Sequence, residues 1–125
     1  MIIKFMFAWF KTKTKFPSVV VAQIKALKAH PNADKLQLVE VSDGHNDLEI
    51  VCGAWNIKVG DKVPLALIGA KLPNGLEIKE ATIRGVKSAG MLCAVDELGL
   101  GSDHSGILIL KSNAKLGESI DKYLL

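Results

Sequence analysis

Cysteine is scarce in this 125-residue chain: Cys52 and Cys93 stand 41 positions apart, each inside an apolar run. With no Cys-x-x-Cys pair, the usual zinc and disulfide-oxidoreductase spacings are excluded, and the two thiols read as reduced core residues of a cytoplasmic protein. Phosphate-cradling patterns are missing as well: no Gly-x-x-x-x-Gly-Lys-Ser/Thr run occurs, no Gly-x-Gly-x-x-Gly opens a helix, and Gly99-Leu100-Gly101 is too short to serve. None of the three histidines has a carboxylate or thiol partner at ligand spacing, so neither a metal nor a cofactor is expected. Asp103-His104-Ser105 holds the residue types of a hydrolytic triad. A triad, however, is assembled in space around one activated nucleophile, not from three neighbours in a glycine-bounded turn. No catalytic residue is assigned.

Long hydrophobic runs are also lacking. The stretch Ile2 to Phe10 is too short to span a bilayer and contains Lys4. Its other lysines follow the apolar part, and no small-residue cleavage site closes it, so it reads as neither membrane span nor secretory signal. What the chain does have is 49% apolar residues, enough for one domain with a real core. A net charge of +3 says little, but its distribution is uneven. Residues 1–35 hold seven lysines against Asp34, whereas residues 36–125 hold nine basic and twelve acidic groups. The basic N-terminal part reads either as a solvated arm or as a phosphate-facing patch.

The run Lys11-Thr12-Lys13-Thr14-Lys15, ended by Phe16-Pro17, predicts a boundary between an arm, residues 1–16, and a domain, residues 17–125. From Ser18 to Ala29 the β-branched, partly alternating sequence predicts a long curved strand, stopped at His30-Pro31 because proline cannot donate to a ladder. Leu36 to Val41 and Leu48 to Cys52, joined by the turn-forming 42–47, predict a hairpin. Further strands are expected at Lys62–Ile68, Glu77–Ile83, Gly90–Cys93 and Ile107–Leu110, with a tight turn at Asn74-Gly75 and a break at Gly85. Two short helices are expected, Val95 to Leu100 and a Ser119-capped one carrying Ile120, Tyr123 and Leu124 on one face. Many short strands with glycine at the turns make an all-β barrel the leading class.

Three segments carry candidate chemistry. His30-Pro31-Asn32-Ala33-Asp34-Lys35-Leu36 is a proline-fixed corner that leaves Lys35 on a rigid base, with Asp34 suited to capping backbone amides. Ile50-Val51-Cys52-Gly53-Ala54 leads into Trp55, which could stack on a base or plug the barrel mouth. In Arg84-Gly85-Val86-Lys87-Ser88-Ala89-Gly90-Met91-Leu92-Cys93, small residues would let a nucleic-acid backbone approach, and the Ser88 hydroxyl could bond a phosphate or ribose. Met91 could lie against an unstacked base or fill the core. Lys79, Arg84 and Lys87 add three cations within nine residues, diluted by Glu77 and Glu80.

In this order, the three segments resemble the tRNA-binding domain near the N-terminus of the bacterial phenylalanyl-tRNA synthetase β subunit, a module also found in free-standing tRNA-binding proteins. The resemblance covers about residues 18 to 125. Glu97 to Ile107 is similar to the synthetase version in particular, while Trp55 departs from it, since proline is common at that position in the family. The resemblance implies a five-stranded Greek-key OB-fold barrel that grips tRNA and does no chemistry. It marks Asn32, Lys35, Ser88 and Met91 as RNA-side groups, with Lys79, Arg84 and Lys87 flanking them. It further implies either an excised synthetase domain or a small independent relative, and as partners tRNA together with synthetase subunits or a second copy bound through residues 1–16. A protein-interaction module is the alternative from another class, because the apolar arm is too sticky to stay exposed.

Overall fold

The computed structural model describes residue 16 and residues 18–124. Seven strands, all paired antiparallel, account for nearly all its regular structure: β1 (Val19–His30), β2 (Ala33–Ser42), β3 (Asp47–Cys52), β4 (Lys62–Leu67), β5 (Ala81–Ile83), β6 (Val86–Ser88) and β7 (Gly90–Leu92). Five of them form one sheet in the order β3-β2-β1-β4-β7, and β5 and β6 form a separate hairpin. The two edge strands of the large sheet come together: the Ala89 amide donates to the Glu49 carbonyl at 3.0 Å, and β3 packs against both β6 and β7. The result is a nearly closed five-stranded barrel of OB type, as expected.

Strand β1 serves two partners because it bends. Val19 to Gln23 pair with β4, Gln23 to His30 pair with β2, and the register slips between Ile24 and Ala26. Such a bulge leaves one residue unpaired and increases the local twist, which lets one strand turn a barrel corner. The backbone groups of Ile24 are satisfied by the next loop: its amide donates to Asp61 O (2.9 Å) and its carbonyl accepts from Gly60 N (2.8 Å).

The first half of β1 and β4 from Val63 onward are apolar on both faces because two cores meet there. Ala22, Ile24, Val63 and Leu65 point into the barrel with Val39, Val41, Ile50 and Leu92. Val19, Val21 and Ala66 point outward, beneath Phe16, Leu72, Ile78, Cys93, Leu98, Leu110 and Ile120. Burial on both sides explains why Val19-Val20-Val21-Ala22 does not alternate. Pro64 is tolerated inside β4 because Val21, opposite it, turns its own amide and carbonyl the other way, to Glu118 O and Gly117 N at 2.9 Å. Phe16, placed with the arm on sequence grounds, is 2% exposed within this second core; the rest of that arm lies outside the described residues.

Several expected elements are shorter or absent. Val95 to Leu100 forms turns rather than a helix. The Asp96 amide is taken by the Asp103 carbonyl, and Gly99 at φ +70° ends the segment before a helix can nucleate. The expected strand at Glu77–Ile83 begins only at Ala81, because Ile78 instead pairs back on Gly69 and Ala70 across the Asn74-Gly75 turn. Ile107 to Leu110 makes two isolated bridges, to Ala94 and Lys62, not a strand. At the C-terminus the expected helix is a single 3-10 turn, Ile120–Tyr123, whose Asp121 amide donates to the capping Ser119 hydroxyl. The break foreseen at Gly85 is a hairpin turn with Arg84 and Gly85 at φ +53° and +90°, and strand β6 beyond it was not anticipated. Among the described residues no helix is long and apolar enough to cross a membrane.

Candidate nucleic-acid interface

The rim of the barrel where β3 ends is built from three pieces of chain: the β1–β2 corner, the β5–β6 hairpin and the loop after Cys52. Among the described residues, the buried polar side chains are His30, Gln37 and Ser88. Each is spent on backbone that shapes this rim. His30 Nδ1 accepts from the Asn32 amide at 2.9 Å, which puts the ring proton on Nε2, facing the Ile83 carbonyl at 2.9 Å. Gln37 Nε2 donates to the Ala54 carbonyl at 2.8 Å. Ser88 Oγ accepts from the Val51 amide and donates to the Gly90 carbonyl, both at 3.0 Å, across the seam where the barrel closes.

Ser88 therefore corrects an expectation. At 2% exposed, with its hydroxyl already both donor and acceptor, it has nothing to offer a phosphate. Its role is to hold Gly90 and Met91 in place. Gly90 is required there by close approach: a Cβ at that position would lie 2.7 Å from the Ala66 carbonyl oxygen.

The remaining expected residues gather on the rim. Asn32 and Arg84 clasp each other through backbone, Asn32 Nδ2 to Arg84 O at 3.2 Å and Arg84 Nη2 to Asn32 O at 3.4 Å, which ties the hairpin tip to the corner. Lys35, Lys79, Arg84 and Lys87 are all exposed. Lys79, Ser88 and Met91 line one groove of about 470 Å³ with Leu36 and Ile83. A second groove of about 450 Å³ is lined by Cys52, Glu97 and His104, and it shares Val51, Gly53 and Met91 with the first. Met91 is half-buried, packed against the outer core and lining both grooves, so it does not simply fill the core. Trp55 is 59% exposed, which rules out a plug, and its Nε1–H donates to the Lys35 carbonyl at 3.2 Å.

Charge is polarised along the β2–β3 hairpin. At its turn end Glu40 and Glu49 lie directly opposite each other, with Asp43 and Asp47 beyond, so a polyanion is repelled there. Exposed Lys35 and Arg84 stand at the other end, while Lys25 on β1 and Lys115, next to the Leu116 that touches Gly44, partly offset the acidic end. In the wall of the second groove His104 turns to Asp96 (2.8 Å), and Ser105 donates its amide and hydroxyl to Asp103 (2.9 and 2.6 Å). Among the described residues no group of three or more histidine, cysteine or carboxylate side chains is gathered as metal ligands would be. Burial, and then the Glu97 carboxylate, push the Cys93 thiol up to about 12, and burial raises Cys52 too, so both are poor nucleophiles at neutral pH.

His30 and Gln37 were missed because each occupies a strand position where sequence favours an exposed polar side chain; the proline after His30 was the one available signal of a fixed corner.

The family model described as "Putative tRNA binding domain" matches residues 19–119. The chain belongs to that family. Over 105 residues it is 58% identical to the phenylalanine-tRNA ligase beta subunit of Syntrophus aciditrophicus (strain SB), covering 84% of this chain and 13% of that protein. Over 110 residues it is 52% identical to the same subunit of Aromatoleum aromaticum, covering 87% of this chain and 14% of that protein. The chain thus spans about one seventh of the length of these relatives. Among solved structures, a MetRS-related protein from Pyrococcus horikoshii is similar in fold, with a TM-score of 0.57 at 20% identity, covering 90% of this chain and 92% of that one. The C-terminal domain of Plasmodium vivax p43 is likewise similar, with a TM-score of 0.57 at 24% identity over 80% of this chain and 56% of that one.

Proposed function

We propose that this domain binds tRNA through its backbone and folded outline, and that it does so at the β3-end rim. One observation carries the reading: the His30-Asn32 corner locks the Arg84 hairpin so that Lys35, Arg84 and Lys87 project from a rigid base beside the Met91 grooves. Fixed cations next to half-exposed apolar surface suit phosphates and unstacked bases, while the acidic turn end of β2–β3 steers the polyanion away from the opposite end. Asn32 acts here mainly as the clasp, with Lys79 on the groove wall. The domain supplies capture only. In a phenylalanine-tRNA ligase beta subunit, the setting suggested by the relatives, it would hold tRNA in the cytoplasm while aminoacylation proceeds elsewhere in the assembly. Residues 1–15, the part of the arm that precedes buried Phe16, are the proposed surface for a synthetase subunit or a second copy.

The test is filter binding of bulk tRNA at several salt concentrations. Arg84→Gln with Lys87→Gln should weaken binding and flatten the salt slope by about 2, with only a small loss of thermal stability, since the Arg84 side-chain half of the clasp goes while the Asn32 Nδ2 to Arg84 carbonyl bond remains. Binding as tight and as salt-dependent as the parent's would move the interface away from this rim.

A further inference from the structure

Trp55 sits in a conformation that the chain takes trouble to hold. On one side the Ala54 carbonyl is bonded by buried Gln37. On the other the Asn56 amide makes a reciprocal pair with Ile107, Nδ2 to O at 2.9 Å and Oδ1 from N at 3.0 Å. Gly106 makes room for that pair, since a Cβ there would fall 2.5 Å from the Asn56 amide oxygen. The indole N–H itself is tied to Lys35 in β2. A large aromatic ring left 59% exposed forgoes most of the burial a core would offer, yet every bond around it restricts its motion.

With its one polar atom spent on the chain, the ring presents π surface to solvent. The neighbouring chemistry indicates what would cover it. Lys35, whose carbonyl anchors the ring, is itself exposed, and the next residue, Leu36, lines the groove that holds Met91. A fixed aromatic face bonded to the backbone of an exposed lysine, whose flexible side chain can reach past it, matches one nucleotide, base against ring and phosphate against ammonium. Bases inside a duplex are stacked on each other and do not present a face, so the nucleotide must be unpaired.

We propose that Trp55 is a stacking platform for an unpaired nucleotide of the bound RNA, in a single-stranded end, loop or bulge, with Lys35 as its phosphate contact. This rests on the reading of the rim as an RNA interface, and it adds that part of the affinity is for single strand rather than for duplex outline.

The experiment uses the full chain carrying Trp9→Phe, so that Trp55 is the sole indole. A short unstructured oligoribonucleotide is titrated beside a fully paired RNA of the same composition. The expected result is saturable quenching of Trp55 emission by the single strand and little by the duplex. Trp55→Ala should lower single-strand affinity about tenfold while keeping the salt slope for bulk tRNA, and Trp55→Phe should recover most of the loss. Unchanged single-strand affinity in Trp55→Ala overturns the proposal. So does equal quenching by the duplex, or an emission change that follows protein concentration alone, the mark of a protein contact at this ring. If the parent fails to bind bulk tRNA yet Trp55 responds to the single strand, the platform stands and the tRNA reading falls; if neither RNA binds, both fall.

Discussion

Replacing Ser88 with alanine separates a structural role at the seam from direct contact with RNA. The change removes one oxygen from a site that is 2% exposed. It leaves the buried Val51 amide without its acceptor, and the Gly90 carbonyl, half-buried beside the groove, without that donor. An orphaned buried polar group costs about 1–3 kcal/mol; with the Val51 amide bearing most of the loss and the Gly90 carbonyl partly rehydrated, the change should cost about 2–3 kcal/mol. For a domain of this length, roughly 4 °C is lost per kcal/mol, giving a drop in Tm of about 8–12 °C by circular dichroism. Amide exchange at Val51 should accelerate in step, because its hydrogen bond is the one removed. Affinity for tRNA, measured well below the transition, should fall by no more than about threefold, with an unchanged salt slope because no charge is lost. A variant that melts within a degree or two of the parent but binds tRNA tenfold more weakly would refute this account and make the hydroxyl an RNA ligand.

Gly90→Ala should be comparably damaging: its Cβ would meet a backbone oxygen that cannot rotate away, parting β7 from β4 at a cost of about 1–3 kcal/mol, read by denaturant unfolding. Met91→Ala should cost about 1–2 kcal/mol, less than the 2–5 typical of a fully buried site, and should also weaken tRNA binding; a stability loss beyond about 4 kcal/mol with binding intact would make it purely core. The hydrogen bond that His104 donates to Asp96, and then the carboxylate's charge, raise the His104 pKa, so an NMR titration should place its midpoint above the ordinary value of about 6.5, and Asp96→Asn should bring it down. Because the folded value is the higher one, the pair's contribution to stability is present below about pH 6.5 and fades as pH rises through the His104 midpoint. A midpoint below the ordinary value would contradict the pairing.

Where local chemistry decided the outcome, it was readable. His30-Pro31 ended β1, Asn74-Gly75 turned with Gly75 at φ +89°, and the alternation of β2 and β3 set their pairing. Residues that take meaning from distant partners were not readable. Ser88 looked like a surface hydroxyl between small residues until Val51, 37 positions away, was brought to it. The run Ile107 to Leu110 has strand composition but only two scattered pairing sites, since Ile107 belongs to one core and Leu110 to the other. Val95 to Leu100 has a helix pattern too short to nucleate against competing long-range bonds.

By itself, then, the order of residues determined the class of the molecule: a small β barrel, its basic residues and the segments of the tRNA-binding family written into particular turns. Tertiary structure alone decided which of those residues face outward. Closing the barrel buries Ser88 in the seam, lifts Arg84 onto a hairpin clasped by Asn32, and leaves Trp55 standing beside Lys35. The reason is that exposure and hydrogen-bond partners belong to pairs of segments far apart in the chain, and no single segment carries that information.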